Sequence, residues 1–298
     1  MYKINKREQN GLSYIDIVAE RNISAATICL NRGAALQMLT LESLPVIEDL
    51  HPLAYEDTYA SSLLFPFVNR IKDGEYTYKG LGYKFECNEI ENHNALHGLV
   101  FDKTFACVNS DLSNDQASVT LSYSPTSIIN AFPYLFALEV TYVLTPNSLE
   151  VKVKVENVDT QTFPFTLGWH PYFLSDDLYN SRLEFKATNE YQFDERMITK
   201  GHIRSQLEMP FEINDKMLDH CYALSDSSVL FETPKYKMTL STSGQDNYFQ
   251  IYTPPKKNTI ALEPVTGVSD SFNNKIGLRE LKPKENYTIN WRVSLNKK

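Results

Sequence analysis

Leu149, Val151, Val153 and Val155 are apolar, and Glu150, Lys152 and Lys154 between them are charged. Successive side chains of an extended chain point to opposite faces. This period of two therefore predicts a strand with one face on a core and the other in water. The segment before it repeats the pattern, with Phe136, Leu138, Val140, Tyr142 and Leu144 alternating against Ala137, Glu139 and Thr141. Thr145-Pro-Asn-Ser lies between the two and predicts a hairpin turn. Near the C-terminus Tyr287, Ile289, Trp291, Val293 and Leu295 alternate with Thr288, Asn290, Arg292 and Ser294. Shorter runs around Val119–Tyr123, Leu183–Ala187, Met238–Leu240, Tyr248–Tyr252 and Thr259–Glu263 read the same way.

No helical period of comparable length competes. Eighteen Tyr and sixteen Phe suit a pleated surface. Short helices are predicted only around Tyr59–Leu64 and Gly277–Leu281, and the polar stretches Asn109–Gln116 and Asn189–Gln206 read as surface loops. Many strands without a βαβ rhythm predict an all-β fold, a large antiparallel β-sandwich. No linker, repeat or low-complexity tract divides residues 1–298, so one domain is expected.

The formal charge of −8 argues against nucleic acid, whose phosphates require a basic face. No Lys/Arg cluster marks a membrane surface, and no apolar run is long enough to span a bilayer. Lys3, Lys6 and Arg7 are followed by no apolar segment of the signal-peptide kind. Cys29, Cys87, Cys107 and Cys221 are scattered, which fits reduced cysteines and a cytoplasmic location. A neutral small molecule suits this balance best.

The chemistry-bearing residues lie in the irregular stretches. Thr162–Phe173 sets His170 among Phe163, Phe165, Trp169, Tyr172 and Phe173: apolar faces on which a sugar-sized ligand could stack, with one group of a type that titrates near neutrality. The same pattern describes a histidine in an aromatic core. Asn69 and Arg70 precede the hairpin signal Asp73-Gly74. Arg70 reads as a donor to hydroxyl oxygens or as a surface arginine. His93 and His97 stand four apart, but Gly98 and nearby polar residues break any helix that would align them on a metal. His97 reads as a hydrogen-bonding loop histidine and His93 as surface. Asp219 and His220 share what reads as one turn. Glu263, on the face of its strand opposite Ile260 and Leu262, ends that strand before Pro264.

Taken together, Asn69-Arg-Ile, Leu96-His-Gly, Gly168-Trp-His-Pro-Tyr-Phe, Leu218-Asp and Leu262-Glu-Pro, followed by Asp270-Ser-Phe-Asn, resemble the aldose 1-epimerase (mutarotase) family from about residue 20 to the C-terminus. The resemblance implies a β-sandwich with a monosaccharide in a shallow cleft, no metal and no cofactor, in a monomer or homodimer. It implies His170 as general acid and Glu263 as general base. Arg70, His97 and Asp219 would hold hydroxyls, with Asn69 beside them and Trp169 and Phe173 as the apolar wall. Phe65-Pro-Phe-Val stands where galactose mutarotases carry a glycine–arginine pair, and Pro264 stands where they carry Thr-Gln. These differences bear on the choice of sugar.

The implied reaction needs an imidazole and a carboxylate facing each other across a gap one pyranose wide. Three other functions use the same residues. They are a hexose 6-phosphate 1-epimerase, a non-catalytic sugar-binding protein, and a glycosidase with Asp219 and Glu263 as its carboxylate pair.

Overall fold

The computed structural model describes residues 1–245 and 247–298, and the backbone but not the side chain of Asn22. Three large sheets carry the chain. Five strands from Tyr2–Gln9 to Leu44–Ile47 form an antiparallel meander in chain order. A nine-stranded sheet pairs the alternating segments recognised in the sequence: Ala117–Tyr123, Phe136–Leu144, Ser148–Asn157 and Asn286–Lys297 lie side by side. Its registers run Val151 against Tyr142 on one side and against Trp291 on the other. The predicted inward set (Val151, Val153, Leu138, Val140, Trp291 and Val293) is fully buried. An eight-stranded sheet faces it, centred on Asp219–Leu224, Tyr248–Tyr252 and Thr259–Val265. One buried apolar cluster reaches from Tyr2 to Leu295 and fills the space between the sheets. The architecture is the all-β antiparallel sandwich that the period of two predicts.

Both short helices lie elsewhere than predicted. Tyr59 and Ser61 adopt left-handed backbone (φ 49° and 57°), which ends a single helical turn at Tyr55–Thr58, and Leu63–Leu64 is strand. Arg279–Leu281 pairs with Phe163–Phe165, so the second helical turn falls earlier, at Ser271–Asn274. Both predicted loops contain strand. Ala106–Leu112 is an outer strand of the nine-stranded sheet, and Ala187–Phe193 with Thr199–Arg204 forms a hairpin at the rim of the eight-stranded one. Edge strands are solvated on more sides than central ones, so polar residues suit them and mask their alternation.

Glu232 anchors the rim of the nine-stranded sheet. Its carboxylate pairs with Arg182, Lys237 and Lys298 at 2.9, 3.3 and 2.7 Å. Hydrogen bonds from these cations, that of Lys298 first, hold its pKa down to about 2. A lowered carboxylate pKa contributes stability that is present above the unfolded value near 4.5 and is lost as pH falls toward 2. The melting temperature should therefore fall across that window. Glu232→Gln should flatten the fall, read by circular dichroism from about pH 5 to pH 2.5. An unchanged slope in the variant would count against this network.

Candidate active site

Strand register builds the site. On the outer face of the eight-stranded sheet, Asp219 lies opposite Tyr252, Tyr252 opposite Ala261, and Ala261 opposite Tyr172. In the next row Cys221 lies opposite Gln250, and Gln250 opposite Glu263. Residues level in register share a face, so Asp219, Gln250, Tyr252, Tyr172 and Glu263 rise from one surface. Their chain neighbours Phe249, Ile251, Ile260 and Leu262 point the other way, into the core. Glu263 is thus 3% exposed and not a surface glutamate. Its strand runs past Pro264 to Val265 rather than ending at the carboxylate.

His170 sits between the short strands Gly168–Trp169 and Tyr172–Leu174. Its ring stacks on Tyr172 at 4.9 Å and meets His97 edge-on at 5.1 Å. Its Nε2 lies 3.3 Å from Glu263 Oε1. The expected gap of one pyranose between the two groups is therefore absent. They stand side by side on one floor because their strands are neighbours in one sheet.

The remaining groups arrive on crossing loops. His97 donates its backbone N–H to Asn69 O at 2.8 Å, and Leu96 pairs with Arg70. Arg70 donates from Nε and Nη2 to Glu89 at 2.8–3.0 Å and from Nη1 to Asn69 Oδ1 at 2.9 Å. Asn69 therefore steadies Arg70 with its side chain. Asn94 donates to Glu89 at 2.8 Å, and its own Oδ1 accepts from Arg196, which also grips Asp73 at 2.8 Å. Asp219 accepts a 2.5 Å bond from Gln250 Nε2. It opens the strand Asp219–Leu224 rather than lying in a turn, and His220 turns aside to Glu190 at 3.3 Å. His93 is exposed.

His170, Glu263, Arg70, His97, Asp219 and Asn69 all line one cavity of about 370 Å³. Trp169 does not. It is fully buried and packs on Trp291, and Phe173 is buried beside it. The expectation that they wall the cleft fails on strand geometry. With His170 and Tyr172 on the cleft face, their neighbours Trp169 and Phe173 must face the core. The aromatic walls are Tyr59, Tyr172 and Tyr252. The sequence reading missed Glu89, Gln250, Tyr59 and Tyr252. Gln250 did carry a signal, being a polar residue inside the apolar run Tyr248–Tyr252.

Burial drives the electrostatics. It draws the His170 imidazole down to about 3. Burial first, then the His170 and Arg70 charges, holds His97 well below its usual range, so both rings are neutral at pH 7. Burial and the neighbouring Asp219 push the Glu263 carboxyl well above its usual range, against the pull of Arg70. Burial thus favours the uncharged form of both members of the adjacent pair, an imidazole beside a carboxylic acid, which carries one proton. Buried polar atoms without a protein partner, His97 Nδ1, His170 Nδ1 and Gln250 Oε1, belong to residues of this cavity. Among the described residues no group of three or more His, Cys, Asp or Glu side chains stands in a metal-holding arrangement, and no helix is long and apolar enough to cross a membrane.

Known proteins share this architecture. A galactose mutarotase-like protein from Clostridium acetobutylicum superposes with a TM-score of 0.89 at 19% identity, covering 100% of this chain and 99% of that one. Galactose 1-epimerase from Lactobacillus acidophilus superposes at 0.81 with 17% identity, covering 100% and 99%. In sequence, the uncharacterized protein YihR of Escherichia coli is 26% identical over 260 residues, 83% of this chain and 82% of that protein. The profile of the family described as aldose 1-epimerase matches residues 17–294. With nearly its whole length matched and the same sandwich beneath its cleft, this chain belongs to the aldose 1-epimerase family.

Proposed function

We propose that the protein interconverts the α and β anomers of a free hexose, with His170 and Glu263 moving the protons. The 3.3 Å contact between His170 Nε2 and Glu263 Oε1 carries this reading. The two oxygens of a hemiacetal, O1 and the ring oxygen, share one carbon. An acid and a base that address both must themselves be close, and from one side.

In the imidazolium–carboxylate form of the pair, Glu263 takes the O1 proton as the O1–H electrons form the C1=O1 bond. The C1–O5 bond breaks onto the ring oxygen, which takes the proton of His170. The C1–C2 bond rotates, and the two transfers run in reverse to close the other anomer. One proton leaves the pair and one returns, so the floor keeps its charge throughout. Transfer across the same contact converts this form to the neutral one that burial favours at rest. Arg70, His97 and Asp219 hold hydroxyls, and Tyr59, Tyr172 and Tyr252 cover the apolar faces of the ring. A glycosidase would need Asp219 and Glu263 as its working pair. Here Glu263 is engaged by His170 and Asp219 by Gln250.

Freshly dissolved α-glucose and α-galactose should lose optical rotation far faster with the protein than without it. Sugar binding without acceleration would favour a binding protein, and release of phenol from an aryl glycoside a glycosidase. The pH profile gives a further test. A second proton reaches the pair only near pH 3, and the last one leaves only well above the usual carboxylate range. The catalysed rate should therefore show no acid limb above about pH 4. An acid limb centred near 6.5, where an unperturbed imidazole titrates, would contradict this pair.

A further inference from the structure

The cleft is lined by five carboxylates (Glu56, Asp57, Glu89, Asp219 and Glu263) and one guanidinium, Arg70. Carboxylates are ordinary acceptors for sugar hydroxyls, so their number alone says little. Their pairing says more. Arg70 is committed to Glu89 through three bonds, which neutralise each other at the cleft wall. Glu263 is paired with His170 at 3.3 Å. Both histidines of the cleft are neutral. Among the described residues Asp219 has one side-chain hydrogen bond, from the amide of Gln250, and no ion pair. Glu56 and Asp57, the exposed residues of the helical turn Tyr55–Thr58, make no side-chain hydrogen bond or ion pair among the described residues. Tyr59, on the same cleft wall, feels these charges: burial raises its hydroxyl pKa most, the Asn88 hydrogen bond lowers it, and Asp57, Glu89 and Glu56 each raise it. No cation on the cleft wall, among the described residues, is left to meet an anion.

We propose that this cleft sorts sugars by charge, accepting neutral and cationic amino aldoses and turning away phosphorylated or carboxylated ones, with Glu56, Asp57 and Asp219 setting the preference. The inference rests on the epimerase reading for the reaction but not for the binding. A phosphate on the sugar would add charge to a field already negative, and Arg70 could reach it only by abandoning Glu89 inside the protein. A protonated amine would find Asp219 or the rim carboxylates without displacing anything. The hexose 6-phosphate function considered from the sequence is disfavoured on the same ground.

The test compares glucose, glucosamine and glucose 6-phosphate at about pH 6, where the amine is protonated. Rates come from polarimetry and dissociation constants from calorimetry. Glucose 6-phosphate should show kcat/KM at least about tenfold below glucose, and glucosamine should equal or exceed glucose. The phosphate gap, and any advantage of glucosamine, should shrink in high salt, because the rim is open to screening. Glu56→Gln with Asp57→Asn should narrow the glucosamine-to-phosphate ratio by about threefold or more, consistent with unpaired charges at an effective dielectric near 20. Equal handling of glucose and glucose 6-phosphate, or a ratio unmoved in the double variant, would overturn charge sorting. If no sugar is turned over, the epimerase reading fails. The dissociation constants then decide the inference alone, with the same ordering supporting it and equal values overturning it.

Discussion

Glu263→Gln should lower kcat for mutarotation by roughly a hundred- to ten-thousand-fold, the usual worth of one placed proton transfer. The amide keeps the shape of the carboxyl and can still meet His170 Nε2, but it cannot take a proton from O1. KM should change little, since the hydroxyl-holding groups are untouched. The variant should fold. Glu263 is buried with its pKa raised, so its contribution to stability is fully present below the unfolded carboxylate value and is lost as pH rises through the folded one. Replacing it by a neutral amide should therefore make the protein no less stable at neutral pH, and relatively more stable as pH rises. Polarimetry and thermal melts on the same preparation separate the two effects. A fully active Glu263→Gln would remove this residue from the chemistry. An inactive variant that has also unfolded would say only that the buried amide is not accommodated, and Glu263→Asp would then be the informative change.

Gly98→Ala should cost about 2–4 kcal/mol of stability and weaken sugar binding with it. Gly98 sits at φ 81°, and a β-carbon there would lie 2.3 Å from Phe65 O and 2.5 Å from Phe65 C. The obstacle is backbone, so nothing flexible can give way. This crossing also carries the Leu99 N–H bond to Phe65 O at 2.7 Å, two residues from the His97 bond to Asn69. Pushing the strands apart moves His97, Asn69 and Arg70 together, so KM should rise well before kcat falls. Gly80→Ala is the control. Gly80 has a similar φ of 79°, but its β-carbon would meet nothing within 4 Å. Only the backbone strain remains there, about 1–2 kcal/mol. Equal losses at the two positions in denaturant titrations would show that the close approach to Phe65 contributes nothing.

Where alternation was strong the sequence could be read almost residue by residue. The inward set of Leu149–Val155 and its partners is buried as its period requires. At the sheet edges, Asn109–Gln116 and Asn189–Gln206 are rich in polar residues, and the same logic reads them as loops although both contain strand. The family motifs named the residues of the cleft but not their arrangement. Nothing in the sequence says that His170 and Glu263 touch, because that follows from which strands are neighbours in the folded sheet. The Trp169 error had a simpler origin. An aromatic beside a catalytic candidate invites a stacking role, whereas strict alternation already assigned it to the opposite side.

The strand Thr259–Val265 also bears on how such a protein can change. Glu263 lines the cleft and Ala261 packs beneath its Tyr172, while Ile260 and Leu262 serve the core, so a single segment answers two demands on interleaved positions. Substitutions at the cleft positions can retune which sugar is preferred and leave the hydrophobic interior intact. A one-residue insertion has no such freedom, because it would exchange the two roles along everything downstream in the strand. Diversity among descendants of this chain should therefore arise by replacement within these strands and by length changes only in the loops above them.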